Sequence, residues 1–321
     1  MSQANVLRPL KYLRLSVTDR CNLRCSYCMP LEGVENHGHN STLRYEDYLE
    51  IVEALVPLGL EKVRITGGEP LVRKGIVAFV ARLSKVAGVK SVVMTTNGLL
   101  LPQFAKALKE AGLERINLSL DAVDDGIYKQ ITRVEGSGKA IEGLKVAVEA
   151  GLTPVKLNAV YMKGINDGQI DALMALSGPK VQLRFIELMP IGEAALWSKD
   201  HFAPVETILE AHPHLLRVPE CDSGVAKYYR HAVTKGLIGA ITPISDHFCS
   251  ACDKVRLTSD GLLRTCLHSD NEVDLKPYLG ADDGGASLRA AVVEALKVKP
   301  LRHYLSQGQA PSKRNMVTMG G

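Results

Sequence analysis

At 321 residues and 34.8 kDa the chain exceeds one average domain and falls short of three, which points to one large domain or one domain with an appendage. Hydrophobic residues make up 46% and charged residues 23%, ordinary globular usage that excludes a disordered, collagenous or coiled-coil chain. Lys plus Arg (39) against Asp plus Glu (35) leaves a net charge of +4, too weak and too dispersed for a dedicated nucleic-acid binder, so an anionic partner must be met locally.

In chain order, Met1 to Lys11 lacks the apolar run of a signal peptide, and no uninterrupted stretch of about 18 apolar residues follows it; a cytoplasmic protein with no membrane partner is expected. Strands are predicted at Leu13 to Val17, Lys62 to Thr66, Ser91 to Thr95, Arg115 to Leu120, Val155 to Val160 and Val181 to Glu187. Helical patterns lie between them at Tyr45 to Leu58, Lys74 to Val86, Pro102 to Glu110, Lys139 to Ala150 and Asp167 to Leu176. Such alternation implies an α/β fold with a parallel sheet, either open and doubly wound or a partial barrel; about six units are too few for a closed eight-stranded one.

The strands themselves choose between these. In Leu13-Arg14-Leu15-Ser16-Val17 and Lys62-Val63-Arg64-Ile65-Thr66 one face is aliphatic and the other polar, and the split recurs at Arg115 to Leu120 and Val155 to Val160. A strand covered by helices on both sides should be almost continuously apolar. The alternation favours a partial (β/α)6 TIM-like barrel whose polar residues line a lumen. Arg14, Arg64 and Lys156 then form a cationic wall suited to an anion; the alternative is that they are solvated or salt-bridged edge residues. From about His212 the alternation is lost, apart from one amphipathic stretch at Gly285 to Lys297, so the expected division is a barrel over 1–211 and a smaller module over 212–321.

Six of the seven cysteines fall into two groups, which in a reducing compartment points to metal ligation or catalysis rather than disulfides. Cys21, Cys25 and Cys28 follow the first strand with C-x3-C-x2-C spacing. Three thiolates on one loop can hold three irons of a [4Fe-4S] cluster and leave the fourth open, whereas a structural zinc site would want a fourth Cys or His close by. The loop resembles the signature of the radical S-adenosylmethionine superfamily, whose fold is a partial barrel of six β/α units. Thr66-Gly67-Gly68-Glu69-Pro70, one β/α unit later, is similar to the glycine-glycine-glutamate-proline motif with which that superfamily approaches the methionine end of its cofactor.

Cys249, Cys252 and Cys266 repeat the arithmetic. A second cluster with an open iron is one reading; a zinc site completed by His247 or His268 is the other. Cys221 is left over as a free thiol. With Arg256-Leu257-Thr258 between these cysteines and the terminal Gly320-Gly321, the chain from Leu13 onward resembles the GTP 3′,8-cyclase family of molybdenum cofactor biosynthesis. That resemblance implies two [4Fe-4S] clusters, S-adenosylmethionine as cofactor and GTP as substrate, with an adenosyl radical rather than a catalytic side chain doing the chemistry. It implies cofactor contacts at Tyr27, Gly68, Ser119 and Met189, and GTP contacts at Arg14, Arg64, Thr95, Lys156 and the segment Lys254, Val255, Arg256. It also implies a Gly320-Gly321 tail threaded into the active site, where the composition of Gln307 to Gly321 alone suggests a disordered end. An electron donor of flavodoxin or ferredoxin type, a homodimer and a link to cyclic pyranopterin monophosphate synthase belong to the same implication. Asp253-Lys254-Val255-Arg256 departs from the family's Asn-Arg-x-Arg, and Lys254 keeps the charge without the planar fork of arginine.

Two rival functions differ in what they need. A radical peptide-maturing enzyme would carry more C-terminal cysteines, and an electron-transfer scaffold would have no use for Gly67-Gly68 or for a basic cavity.

Overall fold

The computed structural model describes residues 9–34, 42–222, 225–246, 249, 252–302 and 314–320. The first six strands are β1 (Tyr12–Ser16), β2 (Lys62–Thr66), β3 (Ser91–Thr96), β4 (Arg115–Ser119), β5 (Val155–Tyr161) and β6 (Val181–Glu187). They lie side by side in chain order and all their pairings are parallel, as βαβ crossovers require. The crossover helices are α1 (Tyr45–Leu55), α2 (Ile76–Leu83), α3 (Leu101–Glu110), α4 (Asp125–Thr132), α5 (Ser137–Glu149) and α6 (Ile170–Ala175). Two of them start where local chemistry favours it: Asp124 Oδ1 accepts from Ile127 N at 2.9 Å to cap α4, and Pro102 occupies the first turn of α3, where a missing N–H costs nothing.

Predicted and observed strands agree to within a residue or two at each end. The helix α4 carries too short an apolar stripe for periodicity and is absent from the prediction. The larger difference lies after residue 212. Beyond the short helices α7 (Ser198–His201) and α8 (Glu206–Ala211), the chain forms β7 (Leu216–Arg217), β8 (Lys227–Arg230), β9 (Leu237–Ile241), β10 (Lys254–Leu257), β11 (Leu262–Arg264) and β12 (Glu272–Asp274), followed by α9 (Ala286–Lys297). These strands continue the same sheet at both edges, giving twelve strands in the order β12-β11-β10-β1-β2-β3-β4-β5-β6-β9-β8-β7. β10 runs parallel to β1 and β9 parallel to β6, and each carries an antiparallel hairpin outward. Strands of two to five residues are too short to show alternation, which is why they escape a periodicity reading.

One face of the sheet packs Leu13, Leu15, Val63, Ile65, Ile116, Leu118, Leu157 and Leu183 against the helices in a single large core. The other face lines a cavity. No helix among the described residues is long and apolar enough to cross a membrane.

Candidate active site

The cavity encloses about 740 Å³. Its wall is the polar half of each strand's alternation: Arg14 on β1, Arg64 and Thr66 on β2, Thr95 on β3, Ser119 on β4, Lys156 and Asn158 on β5, Arg184 on β6 and Arg256 on β10. Arg14 pairs in register with both Arg256 and Arg64, so three guanidinium-bearing residues stand shoulder to shoulder on neighbouring strands. Like charges opposite one another on a sheet are destabilising, and this cost is borne inside a cavity. Burial, then the neighbouring cations Arg256 and Arg64, hold Arg14 well below the usual arginine range. Burial pushes Arg184 down to about 10, with Arg64 and Arg115 adding to it. Lys156 falls to about 7, through burial first and then through Arg184, Arg115 and Arg64. The buried atoms Arg64 Nε, Arg256 Nη1 and Thr95 Oγ1 have no hydrogen-bond partner among the described residues. Such a wall fits an anion with several acceptor oxygens.

Arg184 and Arg115 extend this wall and were not singled out by the sequence reading. Arg184 was readable, since it shares the two-residue register of Gln182 and Ile186 on β6. It donates to Asn158 Oδ1 from Nε at 2.9 Å and Nη2 at 2.6 Å. The predicted residue Val255 faces the other way: its side chain is in the core, so only its backbone can face the cavity. Lys254 lines the cavity, pairs with Asp253 at 3.1 Å and offers its carbonyl to Lys299 Nζ at 2.7 Å.

Both cysteine groups open onto this one cavity. Cys21, Cys25 and Cys28 sit on the loop after β1, which Arg24 N and Ser26 N pin to the carbonyls of Thr132 and Ile131 at the end of α4, at 3.0 and 2.9 Å. Burial raises Cys21 to about 11 and Cys28 to about 12, and in Cys25 burial is followed by repulsion from Cys28, Asp121 and Cys21. Three half-buried thiols that repel one another as thiolates fit a cationic iron centre, which would reverse that penalty. Among the described residues no group of three or more His, Cys, Asp or Glu converges as a single metal ion would need. Cys249, Cys252 and Cys266 line the same cavity, with Cys252 N bonded to Cys249 O at 3.1 Å. His268 lines the same region and His247 lies outside the described residues. Cys221 is elsewhere, half-buried against Ala226, Tyr228 and Ile241.

The Gly67-Gly68-Glu69 turn is built against the cysteine loop. Gly68 N donates to Thr18 O at 2.7 Å and Glu69 N to Arg20 O at 2.8 Å. A Cβ on Gly68 would sit 2.3 Å from the carbonyl oxygen of Arg20, which no side chain can do. The bare backbone foreseen for a cofactor is therefore already required by the protein itself. Buried Glu69 ties β2 to β3 by accepting from Leu71 N (3.0 Å), Thr96 Oγ1 (2.8 Å) and Asn97 N (2.8 Å). Tyr27 donates to Asp121 Oδ2 at 2.8 Å, and Asp121 Oδ1 accepts from Val160 N at 2.8 Å. Tyr27, Gly68, Ser119 and Met189 all line the cavity, at the carboxyl ends of β1, β2, β4 and β6. The glycine motif that names Glu69 does not tell its bracing role, and no cysteine or glycine pattern points to Asp121, because the partners Thr96, Asn97, Tyr27 and Val160 lie remote in sequence.

The C-terminal segment returns to the same place. Met316 and Met319 pack with Ile191 against Cys28 and Met189, and the backbone of Val317 bonds to Cys28. A Cβ on Gly320 would lie 2.6 Å from Thr66 Oγ1, so the buried glycine abuts the end of β2. Gly321 lies outside the described residues.

Comparison with known proteins agrees with this geometry. Residues 15–176 match the family model of the radical SAM superfamily, and residues 181–305 match that of Molybdenum Cofactor Synthesis C. Curated proteins named GTP 3′,8-cyclase are similar over nearly the whole length: one from Alkaliphilus oremlandii is 45% identical over 98% of each chain, and one from Thermodesulfovibrio yellowstonii is 46% identical over 99% of each. The chain belongs to the GTP 3′,8-cyclase family of the radical SAM superfamily. Among solved structures, Streptococcus suis SuiB bound to S-adenosylmethionine shares the fold, with a TM-score of 0.56 and 16% identity over 88% of this chain and 68% of that one.

Proposed function

We propose that this cavity converts GTP to (8S)-3′,8-cyclo-7,8-dihydroguanosine 5′-triphosphate, the lyase reaction that opens molybdenum cofactor biosynthesis. The observation that carries the reading is that two sets of three thiols and a wall of clustered cations open onto a single cavity. The name shared by relatives at 42–46% identity supports it, as does the match to both family models. In this reading residues 1–211 form a partial barrel of six β/α units, and residues 212–321 form a C-terminal module that closes it.

Cys21, Cys25 and Cys28 would hold one [4Fe-4S] cluster, and Cys249, Cys252 and Cys266 the other. Bound beside the first, S-adenosylmethionine supplies one-electron chemistry: an adenosyl radical able to take hydrogen from a ribose carbon. Tyr27, Gly68, Ser119 and Met189 contact that cofactor. Arg14, Arg64, Lys156, Lys254 and Arg256 bind the triphosphate, with Thr95 Oγ1 and the Val255 backbone as further polar contacts. Their role is positional, since a hydrogen at one ribose carbon is singled out only if the nucleotide is clamped at its charged end. Met316 and Met319, packed against Cys28 and Met189, shield the site from water, which protects a reactive radical from side reactions, and the Gly320-Gly321 tail takes part in the reaction. The proposed setting is cytoplasmic, with a flavodoxin- or ferredoxin-type donor, a homodimer, and delivery of product to cyclic pyranopterin monophosphate synthase.

The test begins with the metal content of anaerobically purified protein. About eight irons per chain with matching sulfide support two four-iron clusters; about four irons and one zinc would make the second triad structural. Incubation with S-adenosylmethionine, a reductant and GTP should then yield 5′-deoxyadenosine and the cyclised nucleotide together. Cys249→Ser should lose the second cluster and the nucleotide product, and a variant that keeps both would overturn the two-cluster reading.

A further inference from the structure

The segment that ends in Gly320 is fastened at its near end by charge. Arg314 stands six residues before Gly320 and reaches two carboxylates on different strands' ends: Nε pairs with Glu272 Oε1 on β12 at 2.8 Å, and Nη2 with Asp260 Oδ2, in the turn between β10 and β11, at 3.1 Å. Glu272 also pairs with Arg264, the last residue of β11, whose side chain is almost wholly buried. Arg264 is two residues from Cys266. One carboxylate therefore joins the C-terminal segment to the strand that delivers a thiol of the second triad.

A second contact fixes the direction of travel. Gly192, in the loop after β6, has φ +54, and a Cβ there would come within 2.8 Å of Asn315 Oδ1 and 3.0 Å of Asn315 Cα. Past that point the chain enters a 3-10 turn over Met316–Met319, contacts Cys28 through Val317 and reaches Gly320 beside Thr66. The apolar grip of Met316 and Met319 sets depth, while a two-carboxylate fork can be satisfied by a guanidinium in only one place.

We propose that Arg314 is a positioning residue: by spanning Asp260 and Glu272 it sets the register of the C-terminal segment, so that Gly320 stands against Thr66 at the end of β2 rather than displaced along it. This rests on the reading that the tail takes part in the reaction. Its consequence is selective. With the latch broken, cleavage of S-adenosylmethionine continues because the first cysteine loop keeps its own anchors on α4, Arg24 N to Thr132 O and Ser26 N to Ile131 O, but fewer cleavage events end in cyclised nucleotide.

The experiment uses the full chain with both clusters loaded and compares wild type, Arg314→Ala, Arg314→Lys and a variant lacking Gly320 and Gly321. For Arg314→Ala the expectation is unchanged iron content, 5′-deoxyadenosine formation within about twofold of wild type, roughly tenfold less nucleotide product per 5′-deoxyadenosine, and about tenfold faster hydrogen exchange of the Val317 to Gly320 amides. Arg314→Lys should recover part of the coupling, since it restores charge to one carboxylate but not both. If Arg314→Ala keeps wild-type coupling and exchange while the truncated variant is uncoupled, the latch is wrong and the tail reading stands. If the truncated variant is itself fully coupled, the tail reading fails and the latch with it. Loss of iron in Arg314→Ala would make the residue a structural prop of the second triad and overturn the proposal.

Discussion

Lys156 shows how a single side chain reports the chemistry of the cavity. Burial, then Arg184, Arg115 and Arg64, push its amine down to about 7, and burial with Arg115 and Arg64 pushes Lys62 to about 8. In an unfolded chain a lysine titrates near about 10.4. Between the two values the unfolded chain holds a proton that the folded one has released, so stability rises with pH across that window, and the penalty of the buried charge is fully present below pH 7. A triphosphate reverses the balance by supplying negative charge. GTP binding at pH 8 should therefore take up a proton, measurable by calorimetry in buffers of different ionisation enthalpy, and Lys156→Met should reduce that uptake and weaken binding. Arg64→Ala should weaken GTP binding at least tenfold while leaving guanosine binding nearly unchanged, because Arg64 Nε is a buried donor with no partner among the described residues. Equal losses for nucleotide and nucleoside would remove Arg64 from the phosphate site. Gly68→Ala is expected to cost about 1–3 kcal/mol through overpacking against Arg20 and to lower the iron content, checked by thermal melting and iron assay.

At the scale of elements, the cysteine loop is only as firm as α4. Asp124 caps that helix at Ile127 N, and the carbonyls at its far end accept from Arg24 and Ser26 between the three thiols. Asp124→Ala should cost about 1 kcal/mol of stability. The loss should appear preferentially as faster exchange of the Arg24 and Ser26 amides, which a cap unrelated to the site would not produce. The same scale explains why a sequence reading finds some elements and misses others. The six parallel strands announce themselves because each spans five to seven residues with one aliphatic and one polar face. The strands β7 to β12 do not: β9 is apolar or glycine throughout, the others have only two to four residues in which to show a period of two, and β10 pairs with β1 across more than two hundred residues.

For the whole molecule, the sheet is the instrument that turns a linear pattern into a site. The sequence by itself determined the chemistry available: two sets of three thiols, a Gly-Gly turn one unit after the first set, and arginines and a lysine on the polar half of amphipathic strands. Those are local properties, set by spacing and by the two-residue period of a strand. Only the tertiary structure decided that both thiol sets face one cavity, because that depends on β10 docking against the outer edge of β1. The same docking brings Arg256 beside Arg14 and Arg64 and turns scattered cations into a continuous wall. It also decided that Val255 belongs to the core, that Glu69 and Asp121 brace the loops, and that the last residues return to Cys28 and Thr66. Each of these is a contact between backbone segments distant in sequence, and no local pattern encodes such a contact, because the free energy that selects it comes from burying the whole sheet at once.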